Sequence, residues 1–99
     1  MNRAKILETA RHAVVVDRAA THGSAAQNFG NIATYWSAHL DHPVSATDVA
    51  VMMTLFKLAR IKANPAHADS WVDGCGYLGI GGEIATEWGE TECCWGEEE

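Results

Sequence analysis

Residues 69 to 82 read DSWVDGCGYLGIGG, and these glycines constrain the fold more than any other feature of the chain. Gly74, Gly76 and Gly79 spell a G-x-G-x-x-G, the pattern of a loop that cradles a dinucleotide phosphate. Such a loop needs an apolar strand before it, a helix and a second strand after it, and an acidic residue about twenty positions on. The residues before Gly74 are HADSWVD, and beyond Gly79 only 20 residues remain. The stretch is therefore predicted to be a helix. Glycine in a helix interior costs about 1 kcal/mol relative to alanine, so the five between 74 and 82 cost roughly 4–5 kcal/mol together. Close approach of another backbone offsets such a cost. Gly74, Leu78, Gly81, Gly82 and Ala85 fall near one face with Trp71 and Cys75, a flat strip on which a neighbouring helix or a second copy of the chain can lie.

The rest of the sequence also reads as helix. Ile6, Leu7, Ala10, Ala13 and Val14 recur at three- and four-residue steps, which predicts an amphipathic helix from 3 to about 18, although Val14, Val15 and Val16 suit a strand as well. After THGS at 21 to 24, Ser24 is a candidate N-cap for a second helix with Phe29, Ile32, Ala33, Trp36 and Leu40 in one stripe. DHPV at 41 to 44 ends it, and Ser45 with Asp48 gives an acidic variant of the capping box for a third helix over 46 to 62. Apolar residues cover both faces of that third helix, so it is expected to be the buried centre. Pro65 is expected in the first turn of a fourth, running to about Trp88. The sum is an all-α, four-helix bundle-like single domain over residues 1–88, with residues 89–99, TECCWGEEE preceded by GE, as an acidic flexible tail.

Composition excludes several partners. Thirteen acidic and seven basic residues give a net charge of −6, which disfavours the phosphate neutralisation that sequence-independent nucleic-acid binding requires. No apolar run reaches a membrane-spanning length and the N-terminus lacks a signal-peptide pattern, so a cytoplasmic protein without membrane contact is expected. Cys75, Cys93 and Cys94 fit neither a disulfide framework nor a zinc knuckle.

The chemistry-bearing candidates are Asp69 and Asp73, four apart and so on one helix face. Two adjacent carboxylates repel unless a cation neutralises them. Lys57 and Arg60 of the third helix can do so, as an interhelical salt-bridge cluster, or a bound Mg²⁺ can, with Lys57, Arg60 or Arg18 receiving phosphate oxygens. Asp17, Arg18, His22, Gly23, Asn28 and Asn31 flank the head of the second helix, where an anion can bind or the side chains can simply cap. His12, His39, His42 and His67 have no ligand-like spacing.

Two stretches, VDRAATHGSAAQNFGNIATYWSAHL at 16 to 40 and DVAVMMTLFKLARIKANPAHADSWVDGCGY at 48 to 77, carry a more specific signal. In their order of Asp-Arg, His-Gly, Asn-Phe, Trp, Lys-x-x-Arg and Asp-x-x-x-Asp the chain resembles, over about residues 5 to 87, a family of short all-α phage and prophage proteins of unknown function. That family in turn looks distantly similar to the all-α nucleoside triphosphate pyrophosphohydrolases of the MazG and dUTPase type. The resemblance implies an oligomeric, Mg²⁺-dependent enzyme that cleaves a nucleoside triphosphate to monophosphate and pyrophosphate, a metal-bound water being the nucleophile. Asp73 matches the final Asp of their second acidic motif and Asp69 lies one position from its Glu. Asp69 and Asp73 would then hold the metal, with Asp48 or Asp17 as a third carboxylate. Lys57, Arg60 and Arg18 would hold phosphates, and Asn28 with Trp36 or Tyr35 would face the base. The first motif of that group, E-E-x-x-E, has no counterpart: Ser24 to Leu40 contains no acid. The alternative expectation is a non-enzymatic phage accessory protein that binds other proteins through its glycine strip, Trp88 and Trp95.

Overall fold

The computed structural model describes residues 1–17 and 24–87. Its elements are α1 (Arg3–His12), a π-helical turn (Ala13–Asp17), α2 (Ala25–Leu40), α3 (Ala46–Ala63) and α4 (Ala68–Glu87). No strand occurs among the described residues, as expected of an all-α, bundle-like domain. Arg18, His22 and Gly23, together with Trp88 and the expected tail over 89–99, lie outside them.

Side-chain caps set most of the boundaries. The Asn2 carboxamide oxygen accepts the Lys5 amide at 2.8 Å and opens α1. That helix widens to π geometry at the three valines, whose branched β-carbons crowd the preceding turn of a tighter helix. Ser24 caps α2 by accepting the Gln27 amide at 3.3 Å. Asp41 ends α2 in the left-handed region at φ 53, with its amide donating to Ala38 and that of His42 to Ser37. The Ser37 hydroxyl then accepts the Val44 amide at 2.8 Å and donates to the Val44 carbonyl at 3.2 Å, fastening the loop to the helix behind it. At α3 the expected capping box is present, the Asp48 amide donating to Ser45 Oγ and the Ser45 amide to Asp48 Oδ2, both at 3.0 Å.

The start of α4 differs from expectation. Pro65 stands before the helix, in a turn closed by the His67 amide on the Asn64 carbonyl at 3.1 Å, where proline's fixed φ suits the second turn position. Its carbonyl accepts the indole N–H of Trp71 at 3.0 Å, which holds the first turn of α4 against the connection.

That short turn makes α3 and α4 an antiparallel hairpin. Gly81 fixes its register, since a β-carbon there would lie 2.7 Å from that of Ala50. α2 covers one side of the hairpin and α1 packs against α4 alone among the described helices. Phe29, Val49 and Ile84 are the largest fully buried side chains, joined in one cluster by Ala33, Ala50 and Ile80. Each large one contributes about 1.5–3 kcal/mol by burial.

Two expectations are corrected here. The glycine strip meets another helix at Gly81 only; the second close approach is Gly76, on a different face, where a β-carbon would lie 2.9 Å from Val14 Cγ1. Around Gly74, Gly79 and Gly82 a β-carbon would meet nothing within 4 Å. Nor is α3 the buried centre. Ala46, Val49, Ala50 and Thr54 are buried, but Val51, Leu55, Phe56 and Leu58 are 47–55% exposed, because among the described residues no helix packs over that part of α3.

Candidate functional site: an ion pair, a small cleft and a bare apolar face

Asp73 lies on the buried side of α4, where the antiparallel register places it opposite Lys57 of α3. The Lys57 ammonium stands 2.9 Å from Asp73 Oδ2, with the two side chains 14% and 31% exposed. Partial removal from water strengthens the attraction over that of a surface pair. Asp69, one turn earlier, is exposed and forms no ion pair among the described residues. The sequence thus supplied the partner of Asp73 correctly and proposed too much for its neighbours.

Arg60 takes a different position. Its guanidinium carbon lies 4.8 Å from the centroid of the Phe56 ring, while Lys57 Nζ lies 5.6 Å from the same ring. Three residues along a helix rotate the side chain by about 60°, enough to carry Arg60 off the α4-facing side and onto an aromatic face. The expected four-membered cluster of Lys57, Arg60, Asp69 and Asp73 is therefore one ion pair beside one cation–aromatic stack.

The remaining candidates are not gathered around this pair. Asp48 is bound into the capping box at the head of α3, nine residues before Lys57 on the same helix. At about 1.5 Å of rise per residue that separates the two levels by more than 13 Å. Asp17 is exposed beyond α1, with Oδ2 3.4 Å from His12 Nδ1. Trp36 is half-buried against the main core cluster, Asn28 is half-buried in the first turn of α2, and Tyr35 is exposed. Arg18 is outside the described residues. Among the described residues no three His, Cys, Asp or Glu side chains come together as a metal-binding group.

A cleft of about 100 Å³ opens beside Asp73, lined among others by Val14, Gly76, Tyr77 and Ile80. Pockets that enclose drug-sized molecules run to about 300–1,000 Å³, so this one admits a few waters and not a nucleotide. The Tyr77 ring on its wall has its centroid 6.5 Å from that of Phe29.

Sequence reasoning missed an exposed apolar row. Val51, Leu55 and Leu58 run along one side of α3, and Trp71 and Leu78 along the same side of α4, all 44–57% exposed. The apolar period of α3 was the available signal, but periodicity tells which residues share a face and not whether a neighbour covers it. No helix among the described residues is long and apolar enough to cross a membrane.

A family model described as a domain of unknown function, DUF6378, matches residues 5–85. Among curated proteins, the Gene 55 protein of Mycobacterium phage D29 is 39% identical over 74 residues, which cover 75% of this chain and 49% of the relative. The Gene 55 protein of Mycobacterium phage L5 is 44% identical over 77 residues, covering 76% and 49%. The chain spans about half the length of these relatives. No solved structure matches it.

Proposed function

Since the chain belongs to the DUF6378 family, a domain of unknown function with phage relatives, we propose that it acts by binding protein, as a non-enzymatic phage accessory domain. One observation carries this reading: the uncovered side of the α3–α4 hairpin. Its five large side chains offer on the order of 500 Å² of contiguous apolar surface, at the upper end of what soluble monomers leave bare without an interaction to fill it. Helix faces of this kind dock on the apolar stripe of another helix.

The association reading is tested at Leu58. The isolated chain either binds the dye 8-anilinonaphthalene sulfonate on this face or hides the face against protein, and Leu58→Glu abolishes whichever signal is present while the helical circular dichroism persists. A chain that neither binds the dye nor associates overturns the reading.

A second reading rests on Asp69, exposed and unpaired one turn from Asp73. In the pyrophosphohydrolase reading Asp69 and Asp73, with Asp48, take Mg²⁺, while Lys57, Arg60, Arg18, Asn28 and Trp36 meet a nucleoside triphosphate. The donor set fits this poorly, because Lys57 already neutralises Asp73 and Asp48 is engaged in a helix cap. Titration calorimetry with Mg²⁺ and a non-hydrolysable triphosphate separates the two readings. Saturable, Mg²⁺-dependent binding that disappears in a folded Asp73→Asn variant would establish the hydrolase-like site.

A further inference from the structure

We infer that the π-helical turn after α1 is a pH-sensitive register device: protonated His12 holds Asp17 and keeps the turn wide, and loss of that proton releases residues 13–17 toward ordinary α-helix. The inference is independent of the association surface on α3 and α4.

Spacing links the charge to the register. His12 Nδ1 lies 3.4 Å from Asp17 Oδ2, five residues further along the chain. In an α-helix, side chains five apart point about 140° away from each other and do not pair. The i→i+5 hydrogen bonds of a π turn bring the fifth residue back over the first, so the turn over Ala13–Asp17 is what lets these two groups meet. An interaction made in one register and not in the other shifts the balance between them by its own strength. Imidazole attracts a carboxylate as an ion only while it carries its second proton, which histidine exchanges between about pH 5 and 8. The pair therefore favours the π register in acid and lapses as pH rises through that range.

The charged groups around His12 are few. Lys5 and Glu8 face it across a shallow groove that Thr9, Ala13 and Asp17 complete, and Glu8 is occupied by Arg11. The helix packed on α1, α4, presents Asp73 and Tyr77 to Ala13 and Val14 in the other cleft. Among the described residues none of the α4 carboxylates, Asp69, Asp73, Glu83 and Glu87, forms an ion pair with His12.

The turn is placed to transmit the change. Ala13 and Val14 form one wall of the cleft beside Asp73, and Val14 Cγ1 fills the space that a β-carbon on Gly76 would take. Return to α register rotates the chain beyond the turn by one residue's worth, about 100°. Val15 and Val16 are 56% and 45% exposed, so little packing resists that rotation. Both members of the ion pair are exposed as well, which limits the change in the π-to-α ratio to about twofold to fivefold.

NMR of the full chain between pH 5 and 8 tests this, read at the Cα shifts of residues 13–17 and at the nuclear Overhauser contact of the Val14 methyls with Gly76. The π-to-α ratio is expected to fall about twofold to fivefold from pH 5 to pH 8, and Asp17→Asn and His12→Gln each abolish the dependence while α1 stays helical. A chain lacking Val15 supplies a second check. His12 and Asp17 then stand four apart and pair within an ordinary α-helix, so the Val14–Gly76 contact no longer changes with pH. Shifts and contacts that stay constant from pH 5 to 8 overturn the proposal. So does a pH dependence that survives in Asp17→Asn, since the charge on the His12 ring alone would then account for it, or one that persists unchanged without Val15.

Discussion

A β-carbon placed on Gly81 would stand 2.7 Å from the β-carbon of Ala50, closer than carbon atoms approach unless one helix moves. Ala50 has no flexible end to yield, so Gly81→Ala is expected to lose about 1–3 kcal/mol through forced separation of α3 and α4. At Gly79, where nothing lies within 4 Å, the same substitution is expected to gain up to about 1 kcal/mol from helix propensity. Gly76→Ala, against the end of the Val14 side chain, should fall between them. Urea denaturation gives the order directly, and equal effects at 79 and 81 would contradict the register.

The Lys57–Asp73 pair makes a double-variant prediction. Asp73→Asn leaves a largely sequestered ammonium without its counter-charge and is expected to lose about 1–2 kcal/mol, discounted from a fully buried pair because Asp73 remains 31% exposed. Lys57→Met combined with Asp73→Asn is expected to lose less than the two singles added, with coupling on the order of 1 kcal/mol. Strictly additive losses would show that the two groups merely lie close.

The capping box separates a structural from a metal-binding role for Asp48. Ser45→Ala and Asp48→Ala should each lower stability by about 1 kcal/mol, through loss of one partner for an orphan amide at the head of α3. The Asp48→Ala difference should be the same in Mg²⁺ and in chelator. A penalty appearing only when Mg²⁺ is present points instead to coordination.

On α1, the Arg11 guanidinium hydrogen-bonds Glu8 at 2.9 and 3.1 Å and holds its carboxyl below the usual carboxylate range. A depressed folded value means that the stabilisation is present above the unfolded pKa and is lost as pH falls through the folded one. Both groups are exposed, so salt should erase the effect. Carbon-detected NMR titration of Glu8 is expected to show a low midpoint that rises in Arg11→Ala; an unchanged midpoint removes the pair from consideration.

Helix ends were the most legible part of the chain, because capping is local chemistry. Ser24 and the Ser45–Asp48 pair act within three residues of themselves, and no distant contact is needed to recognise them. Pro65 was misplaced because proline suits a first helical turn and the second position of a β-turn equally well, and the choice falls to the His67 amide. For the glycines, period alone groups 74 with 81 and 82, yet among the described ones only Gly81 and Gly76 have a neighbour within 4 Å of a β-carbon. Which helix face is covered depends on how α1 and α2 are shared out over the hairpin, a property of the whole chain. Lys57 and Asp73 could be matched from charge and spacing; Arg60 could not, since its preference for the Phe56 ring is settled by geometry around one turn of α3.

Among the described residues α1 packs on α4 alone, with Ala10 as its one buried residue, and Val14 of the turn after it meets Gly76 and the edge of the Phe29 cluster, whose buried residues all come from α2, α3 and α4. Mechanically the molecule is a three-legged body with an outrigger. Tension applied at the N-terminus would lift that outrigger before it strained the Phe29 cluster, and the first shear plane would run between Val14 and Gly76.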